Sequence, residues 1–202
     1  MTRKTQGEGN RHNFAMPYLT AEMSSILSDI EKNSDENQVS KCIYFSPTAL
    51  THIKRLVDTG GTIITDTNLL ASGVDETLLG AKGAHIQCFI DDPQVIDIAE
   101  HRRITRAEIA VDYALSQSGL KLMVVGSAPS AINRILTRRA HEPMSDVCVL
   151  AAPTGFASVV QLKEKLVDSD LASIVIRGKK GGIPLTICAL NAILREIAKP
   201  AH

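Results

Sequence analysis

The sequence predicts an α/β protein built as a three-layer α/β/α sandwich around a five-stranded parallel sheet. Short apolar runs alternate with stretches of helical spacing along most of the 202 residues, which is the pattern of strands joined by crossover helices. Runs such as 122–125 (LMVV) are apolar throughout, as expected when helices cover both faces of a parallel sheet. With 44% hydrophobic residues, the chain can also bury a large core.

The first predicted elements are two helices. A weak helix is expected at about 20–31. A stronger one is expected to start at Ser46-Pro47, which would supply an N-cap and a first-turn proline, and to end at Gly60-Gly61. Five strands then alternate with five helices. The strands are predicted near 62–66, 85–90, 121–126, 146–152 and 172–177, and the helices at 68–80, 105–118, 129–139, 158–168 and 183–198.

Two of these helix starts carry a capping-box pattern, in which Ser or Thr is followed three residues later by Glu or Gln. They are Thr105-Arg-Ala-Glu108 and Ser158-Val-Val-Gln161. Side chains in such a box satisfy backbone N–H groups that have no partner inside the helix. The pattern therefore predicts helices that start near 105 and near 158, without pointing to a function.

Composition predicts one domain, 21–202, preceded by a flexible polar arm, 1–20. Lys plus Arg and Asp plus Glu total 22 each, so overall charge offers no attraction to nucleic acid or to a membrane surface. The absence of Trp also argues against a base-stacking surface. Neither a signal-peptide pattern nor an 18-residue apolar span is present, which predicts a cytoplasmic protein.

Cysteine and histidine residues give no pattern of a metal site. The four cysteines lie far apart inside apolar runs, without C-x-x-C spacing, so buried reduced thiols are expected. The six histidines form no cluster with Cys, Asp or Glu in the sequence. We therefore predict no metal.

The loops that follow the predicted strands point to a ligand site. After the run 122–125, Gly126-Ser127-Ala128 forms a tight turn and Pro129 begins a helix. Ligands of open parallel sheets lie beyond the carboxyl ends of the strands, where helix N-termini offer N–H groups. Similar loops of small and polar residues follow three other strands, at 65–68, 153–158 and 177–182.

The loop 177–182 (RGKKGG) combines three cations with three glycines. Exposed backbone donors beside positive charge suit carboxylates or phosphates. A solvated basic turn is the alternative interpretation. Neither this loop nor GSAPSA fits the G-x-G-x-x-G or G-x-x-x-x-G-K-[ST] motif, so a nucleotide enzyme is disfavoured.

Taken together, these loops resemble those of the precorrin-8X methylmutase (precorrin isomerase) family of cobalamin biosynthesis. The resemblance runs from about residue 44 to 194. It rests on motifs in family order and spacing: YFSP (44–47), IITDTNLLASG (63–73), TR (105–106), VVGSAPSA (124–131), APTGFAS (152–158) and RGKKGGIP (177–184).

The resemblance implies an activity. Enzymes of this family move a methyl group from C-11 to C-12 of a corrin precursor that carries many carboxylates, and they use no separate cofactor. It also implies an α/β/α fold and a homodimer with active sites near the subunit interface. A basic loop would then bind the carboxylates of the tetrapyrrole.

Candidate site residues follow position by position. Thr105 and Arg106 match the family's Thr-Arg pair beside the substrate, and Arg106 would pair with a substrate carboxylate. The sequence predicts a tetrapyrrole-sized cleft at the carboxyl ends of the strands. The substrate-binding residues expected around it are Asp66, Asn68, Thr105, Arg106, Ser127, Ser130, Thr154, Arg177, Lys179, Lys180 and Gly181.

The chain departs from the family pattern where relatives carry their presumed general acid, a histidine. Counting back from Phe45 without gaps places Lys32 at that position, in the polar run EKNSDEN. Lys32 is thus the candidate catalytic residue. The alternative function is a non-catalytic corrinoid-binding relative, a carrier or pathway partner, because a pocket can persist after its acid is lost.

Overall fold

The computed structural model describes residues 19–34, 38–80 and 83–199. Of the predicted arm, residues 1–18 lie outside this range. The described residues form eight α-helices: α1 (Ala21–Asn33), α2 (Ala49–Thr59), α3 (Asn68–Ser72), α4 (Pro93–Arg102), α5 (Arg106–Ser116), α6 (Pro129–Arg139), α7 (Ala157–Val167) and α8 (Ile183–Ile197). They also form six strands: β1 (Ile43–Phe45), β2 (Thr62–Thr65), β3 (His85–Gln87), β4 (Lys121–Val125), β5 (Val147–Ala151) and β6 (Ala172–Ile176).

The strands form one sheet in the order β1-β6-β5-β4-β2-β3. The five predicted strands, β2 to β6, are all present and run parallel to one another. The prediction of a five-stranded, purely parallel sheet was nevertheless wrong, because β1 adds a sixth strand antiparallel to β6. β1 has three residues, fewer than the roughly four to eight by which an apolar pattern marks a strand, whereas the predicted run around β3 covered six.

Helices cover both faces of the sheet, which confirms the three-layer α/β/α architecture. One face buries Ile63, Leu122 and Ile174 against α1, α2, α3 and α8. The other buries Ile64 and Met123 against α5, α6 and α7. Neighbouring residues of one strand point to opposite faces of the sheet. Because helices shield both faces from water, the strand sequences are apolar throughout.

Helix α5 starts as predicted. Thr105 is its N-cap and accepts a hydrogen bond from the backbone N–H of Glu108, whose carboxylate accepts the N–H of Thr105. The second predicted box was wrong, because α7 begins at Ala157 with Phe156 as its N-cap. Ser158 therefore lies inside the first turn.

The predicted start of α2 was also wrong. Thr48 is the N-cap of this helix, and Ser46 instead accepts a hydrogen bond from the backbone N–H of Ser173 at 2.8 Å. Ser46 thus links β1 to β6, a long-range contact that local sequence does not reveal. The predicted end at Gly60, which adopts φ 75°, is confirmed.

Two other elements differ from the prediction. The predicted helix 68–80 is broken at Gly73 into α3 and a 3₁₀ helix, Glu76–Leu79. Helix α4 was missed, although Asp92 caps it and Pro93 occupies its first turn. Within the described ranges, no helix is both long enough and apolar enough to cross a membrane.

Candidate active site

The connections between the parallel strands change direction at one point of the sheet. The chain leaves β2 towards β3 on one side, then returns through α4 and α5 to β4 on the other side of β2. In doubly wound sheets, ligands bind at the carboxyl ends of the strands beside such a reversal. The loops after β2, β4, β5 and β6 lie at this same edge, because these strands are parallel. We call it the carboxyl edge.

Asp66 lies at the centre of the carboxyl edge, directly after β2 and beside the turn that follows β4. Its Oδ2 accepts hydrogen bonds from the backbone N–H groups of Ser127 and Ala128, both at 2.7 Å. Ala128 is the N-cap of α6 and supplies no side-chain cap, so the carboxylate of Asp66 takes that role. The expectation that this turn offers its N–H groups to a ligand was therefore wrong. Ser127 and Asp66 can meet a substrate only through their remaining atoms.

The second carboxylate oxygen of Asp66 lies in a different environment. The side chain is 8% exposed, and its Oδ1 is buried without a hydrogen-bond partner among the described residues. Apolar side chains from β2, β4 and α5 line a cavity of about 20 Å³ beside it. Unpaired buried acceptors are rare, and they concentrate where a protein sacrifices stability for another purpose.

Asn68 and Arg106 meet at a residue that the sequence analysis missed. Asn68 Nδ2 donates to Asp91 Oδ2 at 2.7 Å, and Arg106 Nη1 lies 3.5 Å from Asp91 Oδ1. Arg106 is 47% exposed and Asp91 63% exposed, so this ion pair is weak and solvent-screened. A substrate carboxylate could therefore displace Asp91 from Arg106. The run Asp91-Asp92-Pro93 before an apolar stretch was the available signal, as a helix start.

Thr105 and Ser130 are brought together between α5 and α6. Thr105 Oγ1 lies 2.7 Å from Glu108 Oε2 and 3.2 Å from Ser130 Oγ. Ser130 also lines a groove of about 350 Å³ between α6 and α7. The cap of α5 thus holds the Thr105 hydroxyl at the rim of this groove.

The basic loop 177–182 contains two different kinds of cation. Arg177 forms a bidentate ion pair with Glu164 of α7, so its guanidinium already has a carboxylate partner. Lys179 is exposed and Lys180 is half-buried. Of the three predicted cations, Lys179 is therefore the most accessible to a substrate.

Two glycines seat this loop against the loop after β5. Gly182 donates its N–H to the carbonyl of Ala152 at 2.7 Å. A Cβ on Gly181, which adopts φ 148°, would lie 2.0 Å from the same carbonyl oxygen. This close approach brings the basic loop beside Thr154, which is exposed at the same edge.

Lys163, a buried lysine on α7, lies beneath these two loops. Its Nζ donates to the carbonyls of Pro153 at 3.0 Å and of Lys180 at 2.9 Å. Burial lowers the pKa of Lys163 to about 8, although Cys42 and Glu164 nearby favour its charged form. The predicted site residues did not include Lys163, because an apolar helix face gives no sign of a buried ammonium.

We expect this lysine to make stability depend on alkaline pH. The unfolded chain, with an ordinary lysine pKa, binds a proton that the folded chain has released between pH 8 and about 10.4. The free energy of unfolding should therefore gain about 2 kcal/mol from Lys163 across that window. Urea unfolding between pH 7.5 and 10 measures it. The gain must disappear in Lys163→Met, and an identical pH slope in both proteins would contradict the assignment.

The comparisons with known proteins identify the family. The profile of the precorrin-8X methylmutase family matches residues 16–196. The chain belongs to this family. Its members are methylmutases, isomerases of cobalamin biosynthesis.

Three relatives show how close the similarity is. The chain is 33% identical to the cobalt-precorrin-8 methylmutase of Salmonella typhimurium, over 77% of this chain and 72% of the relative. It is 28% identical to the enzyme of the same name from Methanothermobacter thermautotrophicus, over 84% and 79%. The crystal structure of precorrin-8X methylmutase from Thermus thermophilus superposes with a TM-score of 0.78 at 25% identity, covering 89% of this chain and 87% of that chain.

Lys32, at the position of the histidine expected in relatives of this methylmutase family, lies on another part of the molecule. It is exposed in the last turn of α1. It lines a groove between α1 and α8, together with Asp29 and Arg195, which form an ion pair. None of the rim contacts described above includes Lys32, and its catalytic role stays a prediction.

Two exposed apolar side chains at the carboxyl edge also escaped the sequence analysis. Phe156, after β5, is 85% exposed, and Leu69, on α3, is 64% exposed. Large apolar side chains in water often mark a surface that another molecule covers. They add an apolar component to a rim that the sequence had characterised only by its charges and hydroxyls.

Proposed function

We propose that this chain catalyses the migration of a methyl group from C-11 to C-12 of a precorrin-8-type substrate. The family match over residues 16–196 is the observation that carries the proposal. The structure is consistent with it, because four of the loops that resemble the family, those after β2, β4, β5 and β6, lie at one edge of the sheet, where doubly wound proteins bind ligands. Substrate and product contain the same atoms, so no oxidant or group donor is required.

The rim offers the chemistry that a polycarboxylate macrocycle needs. Arg106 and Lys179 are exposed cations for carboxylates, and the hydroxyl of Thr154 can donate a hydrogen bond. Phe156 and Leu69 offer apolar surface to the ring. We include a homodimer in the proposal, since a second copy could form the predicted cleft together with these loops.

A spectroscopic assay tests the activity. Purified protein is incubated with precorrin-8 and, separately, with cobalt-precorrin-8, and the visible spectrum is recorded over time. We expect the chromophore to change to that of a corrin with one of the two substrates. If the spectrum shifts on binding but the substrate extracted afterwards is unchanged, the protein binds the corrinoid without converting it. That result would contradict catalysis and support the alternative, a corrinoid carrier.

Lys32 is the observation that favours the carrier, since a lysine stands where the family's acid is expected. Because Lys32 lines the groove between α1 and α8, a histidine there can act as the acid only if the substrate also reaches that groove. In that case Lys32→His should raise the turnover of cobalt-precorrin-8 about tenfold or more, because a positioned acid contributes at least that much. Lys32→Ala should match the natural chain. Loss of activity in Lys32→Ala would show that the lysine itself works. Equal turnover in all three proteins would refute the alignment of this segment.

Phe156 is expected to contribute to corrinoid affinity without contributing to stability. Covering its ring with a macrocycle removes apolar surface from water, so Phe156→Ala should weaken binding about tenfold. The free energy of unfolding should change by less than about 0.5 kcal/mol, as is usual for exposed positions. Titration with the corrin product measures the affinity. Leu19→Ala is the control, because Leu19 is 55% exposed before α1. Equal affinities in both variants would contradict this role.

A further inference from the structure

Two loops of the carboxyl edge depend on one side chain that cannot itself reach a substrate. Lys163 is fully buried, and its Nζ bonds the carbonyl of Pro153, after β5, and the carbonyl of Lys180, after β6. These loops carry Thr154 and Lys179. A donor between them sets their separation.

The two loops also touch through their backbones. Gly182 donates its N–H to Ala152, and Gly181 leaves no room for a side chain at this point. The loops are thus joined at two places, one between backbones at Ala152 and one through Lys163. Two separate attachments fix an orientation as well as a distance.

Burying an ammonium group in this space costs free energy, because the charge must be removed from water. A methionine of similar size would avoid the cost of removing a charge from water. The charged or titratable groups facing Lys163 are Cys42, from a 3₁₀ helix before β1 (Val39–Cys42), and Glu164 from its own helix. Glu164 is also paired with Arg177. What methionine cannot supply is the pair of N–H donors, and without them the two carbonyls would turn towards water.

We propose that Lys163 is a positioning residue that fixes the Thr154 loop against the Lys179–Lys180 loop so that both contact one polycarboxylate ligand. The identity of the ligand rests on the proposed function. The attachment of the loops rests on the geometry of Lys163 alone, so the two parts are tested separately.

Trypsin tests the attachment without any ligand. Cleavage after Lys179 or Lys180 requires the loop to open, and loss of the Lys163 hydrogen bonds should make it about tenfold faster in Lys163→Met. Lys165→Met is the matched control, since Lys165 is an exposed lysine of the same helix. Equal cleavage of the two variants would overturn the proposal.

Titration with the corrin product tests the consequence for binding. We expect Lys163→Met to bind about tenfold more weakly than Lys165→Met, while its melting temperature stays the same or rises. A purely structural lysine would instead lower the melting temperature. Equal affinity in the two variants overturns the proposal. If trypsin cleaves Lys163→Met faster but even the natural chain binds no corrin, the attachment of the loops by Lys163 is supported and the proposed function is refuted.

The natural chain provides a test if Lys163→Met does not fold. Opening the loop returns Lys163 to water, where its ammonium form is favoured. Loop opening should therefore become rarer as pH rises from about 8 towards 10, by up to about tenfold per pH unit. The trypsin rate, divided by the rate for a short lysine peptide at each pH, measures this. A constant ratio would overturn the proposal.

Discussion

Replacing Gly181 with alanine is expected to destabilise the protein by about 3 kcal/mol and to abolish corrin binding. The new Cβ would lie 2.0 Å from the carbonyl oxygen of Ala152, and its backbone φ of 148° is one that alanine rarely adopts. Because the obstacle is backbone, no side-chain rotation can relieve the clash. The loop 177–182 must move away from the Thr154 loop.

Gly178→Ala is the control for this prediction. Gly178 lies in the same loop at φ 69°, and a Cβ there would meet nothing within 4 Å. Gly178→Ala should lower the free energy of unfolding by only about 1 kcal/mol, which is the strain of an alanine in the left-handed region. Urea unfolding gives both values, and titration with the corrin product gives the affinities. Equal losses in the two variants would show that the contact with Ala152 is unimportant.

Replacing Asp66 with alanine is the second change with a large expected effect. Its carboxylate accepts two backbone N–H groups at the start of α6, and alanine would leave both without that partner at a partly buried position. Hydrogen bonds to a charged group contribute about 1.5 to 3 kcal/mol each to stability. Because the unpaired Oδ1 offsets part of this gain, we expect a net loss of about 3 kcal/mol in the free energy of unfolding.

Two variants control for the loss of charge at the carboxyl edge. Asp91→Ala removes an exposed carboxylate from the same edge and should change stability by less than about 1 kcal/mol. Asp66→Asn keeps one acceptor oxygen, so its loss of stability should lie between those of Asp66→Ala and Asp91→Ala. Chemical unfolding of all three proteins measures the series. An Asp66→Ala protein as stable as Asp91→Ala would contradict the capping role.

Much of the fold was predictable because its strands are buried on both faces. The runs around Leu122 and Val149 are apolar without interruption, which located β4 and β5, and the capping box located α5. β1 was not predictable in this way. Its pairing with β6 is completed by Ser46 and Ser173, which lie 127 residues apart in the chain.

The candidate site was predictable at the level of loops and not at the level of contacts. Parallel strands require their following loops to share one edge, so the positions of Asp66 and Thr154 followed from the sequence. Which groups are already paired did not follow. Arg177 is bound to Glu164, and Asn68 to Asp91, through partners distant in sequence.

The carboxylate of Asp66 also decides which anions this fold can accept. In doubly wound proteins the helix start beside the strand reversal is the usual seat of a phosphate. Here the carboxylate of Asp66 occupies that position, while Lys179 and Lys180 lie two strands away, after β6. The carboxyl edge thus carries a buried negative charge near its centre and an exposed lysine, Lys179, after β6. A macrocycle with unevenly placed carboxylates would be oriented along the edge by this uneven distribution of charge as it approaches.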